Sequence, residues 1–483
     1  MPAEPAAPPA VRSTSASTTS PTGTSSATAV APTPDPEPEL AGRPAPESST
    51  AAGPTAPGIA DRLPQGLVAL NNSQFRIYVA AFLIGSLGMW VQRIAVDWLV
   101  LQLTGSVSAV GLSVSLQFAP VLVLGLFGGA LVDRFDPRKL LLLSQSMVAA
   151  MAAVLAVLVL TDRATVWASY GLSLGLGLAA VVEQPGRLEL VNRLVGRDGL
   201  RSALGLNATA FQSAGIAGPL IAGGLIHGVG LGWCFAVNAV TCLIVVTSLL
   251  LIRTPDRTRP RGADGARRGR LSDGIRTVLK TPEIGWTIAL VGLVGVFGAS
   301  MPVLLSSMAS RAFDAGVSGY GLCTGMVAIG AVLGAQLAAR RRRILRLREL
   351  TALTAGLGGL LALSSATPSL GIFAVTLVAF GIVQLQFLQS ANALVQLTAP
   401  EWVRGRVISV YVLVLIGGQA LGGLLSGALV DTWGPRGALL LNGSMIVLLA
   451  AGFAIRMAYE AHLTLRVRRA RVPRVQIVPA SRW

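Results

Sequence analysis

Twelve apolar runs recur along this chain at roughly 30-residue spacing, each long enough to cross a bilayer as a helix. Inside hydrocarbon every backbone amide needs a partner within the protein, so serial runs of this length resolve as a helical bundle. They lie near residues 77–103, 107–131, 140–160, 165–182, 206–227, 231–252, 285–306, 317–339, 350–366, 369–394, 406–430 and 437–458, and are numbered spans 1 to 12. The pattern predicts an all-α membrane protein with twelve transmembrane helices. Composition agrees: 52% of the 483 residues are apolar and 13% are charged, outside the range of soluble domains.

The net charge of +17 could suit nucleic acid, but the placement of the 39 Lys and Arg argues otherwise. All except Arg93, Arg163, Arg311 and Arg436 fall in the tails, the linker or the cytoplasmic ends of spans. This positive-inside pattern puts both termini in the cytoplasm and the basic loops against anionic lipid of the plasma membrane, with no nucleic-acid partner. Spans 1–6 are expected to form one unit over 71–252 and spans 7–12 another over 284–458. An Arg-, Gly-, Asp- and Pro-rich cytoplasmic linker, 253–283, separates them, and a basic tail follows over 459–483. Residues 1–70 are rich in Pro, Ala, Ser and Thr, contain no signal-peptide h-region, and are expected to be disordered. Cys234, Cys242 and Cys323 lie in apolar runs without CxxC spacing and read as small hydrophobes. Neither His227 nor His462 has a second ligand at metal spacing, and no GxxxxGK[ST] loop occurs, so no metal, cofactor or ATP drive is expected.

The two sets of six spans repeat each other. A shift of 205 lays Gly125 and Gly129 on Gly330 and Gly334, with Ala338 opposite Asp133. A shift of 204 lays Gly218, Gly223, Gly230 and Asn238 on Gly422, Gly427, Gly434 and Asn442. Parallel six-helix repeats of this kind place a substrate cavity between the halves.

The turn between spans 2 and 3 reads Gly129-Ala130-Leu131-Val132-Asp133-Arg134-Phe135-Asp136-Pro137-Arg138-Lys139. Gly125 and Gly129 are one turn apart, so a neighbouring helix can approach that face closely, and Asp133 puts a carboxylate at the membrane edge. The segment resembles the G-x-x-x-D-R-x-G-R-R/K loop of the major facilitator superfamily in Gly129, Asp133, Arg134, Arg138 and Lys139, while Asp136 and Pro137 depart from it. The resemblance implies two pseudo-symmetric six-helix bundles. It also implies a latch in which Asp133 meets the start of span 11, flanked by Arg404 and Arg406, when the cavity opens outward. Arg134 or Arg138 would then pair with Glu183 at the end of span 4. A helix N-terminus favours such an anion, and Asp133→Asn is expected to abolish transport without loss of expression.

Span 1 carries Arg93 and Asp97, four apart and on one face. Charges at that depth are costly unless paired or wetted, so the two are read either as a proton-coupling site facing the cavity or as a permanent structural pair. Span 5 holds Gly218-Pro219 and Gly223, where proline bends the helix and glycines permit close contact. This run resembles the superfamily's antiporter motif, with Ala214 and Ala222 departing from it. The stretches 86–93, 97–106, 204–207 and 404–411 resemble the enterobactin exporter branch, which implies proton-driven export of amphipathic compounds. Gly215 stands where that branch often has Arg. Gln117 and the stripe of Gln389, Asn392 and Gln396 on span 10 are candidate cavity residues.

Taken together, these features predict a secondary transporter, expected to act as a monomer, that exports a small amphipathic molecule against inward proton flow by alternating access. A proton-coupled importer shares the same features. A lipid-modifying membrane enzyme would need clustered acids or His near one interface, and a non-transporting sensor would not be expected to keep Asp133.

Overall fold

Local sequence sets the helix ends. The Asn72 side chain accepts hydrogen bonds from the Gln74 and Phe75 backbone N–H groups at 2.9 and 3.3 Å, so span 1 begins at Ser73 and runs to Thr104, where Gly105 ends it. Span 2 is Val107–Arg134, capped by Ser106. Span 3 is Pro137–Leu160, with Asp136 as its N-cap and Pro137 in its first turn. Those two residues are the ones that depart from the superfamily loop, and here they start a helix.

The computed structural model describes residues 65–253, 271–341, 343, 345–460, 463–468 and 474–479. The disorder expected for residues 1–64, and the linker over 254–270, lie outside the described residues. Residues 65–70, also expected to be disordered, instead form with Asn71 a short 3-10 helix, Gln65–Asn71. It is fixed because Ala69 is buried and its N–H donates to Ser202 Oγ at 3.2 Å.

Among the described residues, ten stretches are long and apolar enough to cross a membrane. One of them, Arg404–Met457, is spans 11 and 12 folded at Gly434, and span 9, which completes the twelve, is Leu347–Ser364, whose Arg348 and Glu349 dilute its hydropathy. Glu349 closes a capping box there, accepting from the Arg346 N–H at 3.0 Å and from Arg343 at 2.6 Å.

Three boundaries differ from expectation. Span 4 continues as Val166–Gly196, well past residue 182, because Glu183–Arg187 and Glu189–Arg193 pairs support the helix beyond the apolar run. Span 5 starts early, at Gly199, after a bend at Gly196. Span 7 is broken: Pro282–Phe297 gives way to Met301–Ser307 and a π turn, Met308–Ala312. Within the linker region Leu271–Lys280 is helical, and a side chain on Gly274 would strike the Arg406 backbone. The tail is not wholly irregular, since Leu463–Arg468 and Arg474–Pro479 pair antiparallel.

The halves repeat in their packing. The 204 shift holds: Gly230 (φ 100°) and Gly434 (φ 71°) each turn the chain between spans in a left-handed conformation suited to glycine, and Asn238 and Asn442 are both buried. For span 2 the packing register is 210 rather than 205. Gly111 abuts the Gly423 carbonyl and Gly427 Cα, while Gly321 abuts the Pro219 carbonyl and Gly223 Cα. Likewise Gly427 meets Ser108 and Val107, and Gly223 meets Ser318 and Val317. The 205 shift matches glycines with glycines, whereas the packing register lays Gly125 and Gly129 on Ala335 and Ala339, small residues that a glycine match does not find.

These contacts join span 2 to span 11 and span 5 to span 8, all in the half of the molecule nearest the loops that follow odd-numbered spans, the odd-loop rim. Gly111→Val would place a branched side chain against the Gly423 backbone, which cannot yield. This variant is expected to hold the rim apart, seen as faster alkylation of a cysteine introduced at Ser115 between spans 2 and 11.

Candidate functional site

Two polar centres cross between the halves. In the first, Asp97 of span 1 is 4% exposed, and its Oδ2 accepts a hydrogen bond of 2.7 Å from the hydroxyl of Tyr320 on span 8, itself 1% exposed. Arg93 does not close onto Asp97. Its guanidinium lies over the rings of Trp90 and Phe118, 5.7 and 5.4 Å from their centroids. Arg93 thus stays near Asp97 without a direct ion pair, and the side chain that donates a hydrogen bond to the Asp97 carboxylate is a neutral phenol from the opposite half. One turn earlier, Gln92 accepts from Asn238 at 2.7 Å and ties span 1 to span 6.

The second centre is at the odd-loop rim. Asp431, at the end of span 11, accepts from Ser106 Oγ and the Ser108 N–H at 2.9 Å each, and from the Val107 N–H at 3.3 Å. It thus caps the N-terminus of span 2 from the other half, where free N–H groups and the helix dipole favour an anion. Arg311, in the π turn that ends span 7, pairs with Asp431 at 3.0 Å and donates to the Gly105 carbonyl at 2.6 Å. Sequence reading did not find this centre. The available signal was an acid at the end of span 11 and one of the few cations outside the basic loops.

The loop between spans 2 and 3 is distributed differently from expectation. Gly129 and Asp133 lie in the last turns of span 2, and the side chain of Asp133 lies outside the described residues. Arg134 is exposed beside the Phe135 ring, and Arg138 donates to the carbonyls of Leu249 and Leu250 at 2.7 and 2.8 Å, closing the end of span 6. Glu183 pairs with neither of them. It is held by Arg187, one turn on in the same helix, and by Gln145 of span 3. The i,i+4 partner was legible in sequence and is closer than any loop residue. Arg404 is half-buried with its Nε lacking a partner among the described residues, and the Arg406 backbone packs against Gly274.

The helix 5 motif works as a double contact. A side chain on Gly218 would collide with Trp90 of span 1, whereas Pro219 and Gly223 face span 8. A cavity of about 330 Å³ is lined by Arg93, Gln117, Phe118, Glu183, Arg187 and Phe211 among others. It was expected between the halves, yet its walls come from spans 1–6 apart from Ile416. Gln117 is on its wall. Gln389 is exposed and Asn392 accepts from Gln396, so neither reaches this cavity. Among the described residues no group of His, Cys, Asp and Glu is placed to hold a metal.

A family model described as a transmembrane secretion effector matches residues 65–471. The chain belongs to this family of major facilitator transporters. The enterobactin exporter EntS of Escherichia coli O1:K1 is similar to this transporter at 27% identity over 363 residues, covering 74% of this chain and 85% of its own. That of Salmonella typhimurium strain LT2 is 26% identical over 385 residues, covering 78% and 90%. Among solved structures, the nucleoside transporter NupG superposes with a TM-score of 0.64 at 14% identity, covering 80% of this chain and all of its own. A bacterial homologue of the iron transporter ferroportin gives 0.61 at 16% identity, covering 79% and 98%. These likenesses establish the fold: this is a multi-pass major facilitator transporter of small molecules.

Proposed function

We propose that the transporter exports a small amphipathic molecule, such as a siderophore or antibiotic, in exchange for protons, and that Asp97 carries the proton. The observation that carries the reading is a buried carboxylate bridged to the opposite half by one hydrogen bond. A charge in that position is tolerated only through its partners, so changing its partners changes its protonation. The similarity to enterobactin exporters supports the direction and the class of cargo.

In this reading the cell membrane holds the chain as a monomer, with both termini and the basic loops facing the cytoplasm and anionic lipid. The odd-loop rim is then extracellular and closed, and the cavity belongs to the cytoplasmic side. Span 5, through Gly218, Pro219 and Gly223, couples span 1 to span 8, so movement of the halves reaches Arg93 and Asp97 directly. Asp133, Arg134, Arg138, Arg404 and Arg406 would gather at the opposite rim in the outward-open posture. Glu183 stays with Arg187 in the cavity wall.

The test is retention of enterobactin and a panel of amphipathic antibiotics in cells with and without the gene, with and without an uncoupler. Export that stops with the uncoupler supports the proposal. Retention that rises on deletion but ignores the proton gradient contradicts it.

A further inference from the structure

Resting on the reading of Asp97 as proton carrier, we infer that Tyr320 is the positioning residue that makes protonation of Asp97 depend on which rim is closed. Tyr320 sits beside Gly321, which abuts the Pro219 carbonyl at the crossing of spans 5 and 8. Its place is therefore set by closure of the odd-loop rim. The titratable or charged groups facing Asp97 are Arg93 on its own helix and Tyr320 on span 8, with Cys323 one turn from Tyr320. Arg93 reaches the cavity wall and Asp97 does not.

The hydroxyl of Tyr320 and a proton compete for the same carboxylate oxygen. With the rim closed, Tyr320 donates to Oδ2 and the carboxylate is satisfied without a proton. When the rim opens, spans 5 and 8 part, the phenol is withdrawn, and the same oxygen takes a proton from the outer water. Reclosure restores the phenol as donor and releases that proton past Arg93 into the cavity. One proton enters from outside and one leaves inside; no other bond is made or broken. By linkage, a ligand that favours one posture also favours one protonation state.

The test needs no substrate. A Cβ on Gly223 would lie 3.4 Å from Ser318 Cα, which suits a disulfide lock between Gly223→Cys and Ser318→Cys across the halves. Dicyclohexylcarbodiimide adds only to protonated carboxyls in apolar surroundings, and mass spectrometry of the peptide containing Asp97 reads the product. The native cysteines are buried and should stay silent. The expected result is that locking slows labelling of Asp97 about tenfold or more, and that Tyr320→Phe in the locked protein restores most of it. Formation of the disulfide in Tyr320→Phe shows that the variant has folded with its rim intact. Equal labelling of locked and unlocked protein, or a locked Tyr320→Phe that stays protected, would overturn the assignment. Failure of proton coupling itself appears separately, as export indifferent to an uncoupler.

Discussion

Asp431→Asn is expected to loosen the odd-loop rim. The amide keeps the size of the side chain but loses the charge that holds Arg311 and the N-terminus of span 2 together. Charge-assisted bonds are worth about 1.5–3 kcal/mol each when buried. Here Asp431 and Arg311 are 28% and 35% exposed, so solvent screening lowers the total to about 1–2 kcal/mol. That moves the balance between closed and open rims by roughly 5–30-fold. Alkylation of a cysteine at Ser115, buried between spans 2 and 11, should accelerate by a similar factor. Arg311→Gln should give a smaller change of the same sign, because the helix N-terminus still receives the Asp431 carboxylate. Unchanged alkylation in both variants would show that the glycine contacts alone hold the rim.

Asp97→Asn is expected to lower proton-driven export by about 100-fold, while exchange of labelled for unlabelled substrate across the membrane continues. The amide oxygen still accepts from Tyr320, so packing is retained, but no proton can be carried. Exchange needs both postures and no net proton movement, which is why it separates coupling from folding. Loss of export and exchange together would instead mark Asp97 as a structural residue.

Much of the architecture was legible in the sequence. Apolar length and the positions of Lys and Arg located the spans, because the bilayer imposes the same length on every helix. The 204 shift found Gly230 and Gly434, since both turns need a left-handed residue. The extension of span 4 past residue 182 was less visible, because ion pairs rather than apolar residues sustain it. The site was harder still. Tyr320 is 223 positions from Asp97, and Asp431 is 325 positions from Ser106, so neither pair leaves a local pattern. Arg93 and Asp97 satisfied the helical spacing rule, yet Arg93 found aromatic faces and Asp97 found a phenol. Glu183 had a partner within reach on its own helix face, Arg187, which is the one it holds in this posture.

Distances between spin labels test the rocking of the two halves most directly. One pair, at Asp162 and Trp433, spans the odd-loop rim; the other, at Lys139 and Glu401, spans the opposite rim, and all four residues are exposed. Lowering the pH should lengthen the first distance and shorten the second, because protonated Asp97 no longer requires Tyr320. Two distances that stay fixed, or that lengthen together, would contradict alternating access driven by this carboxylate.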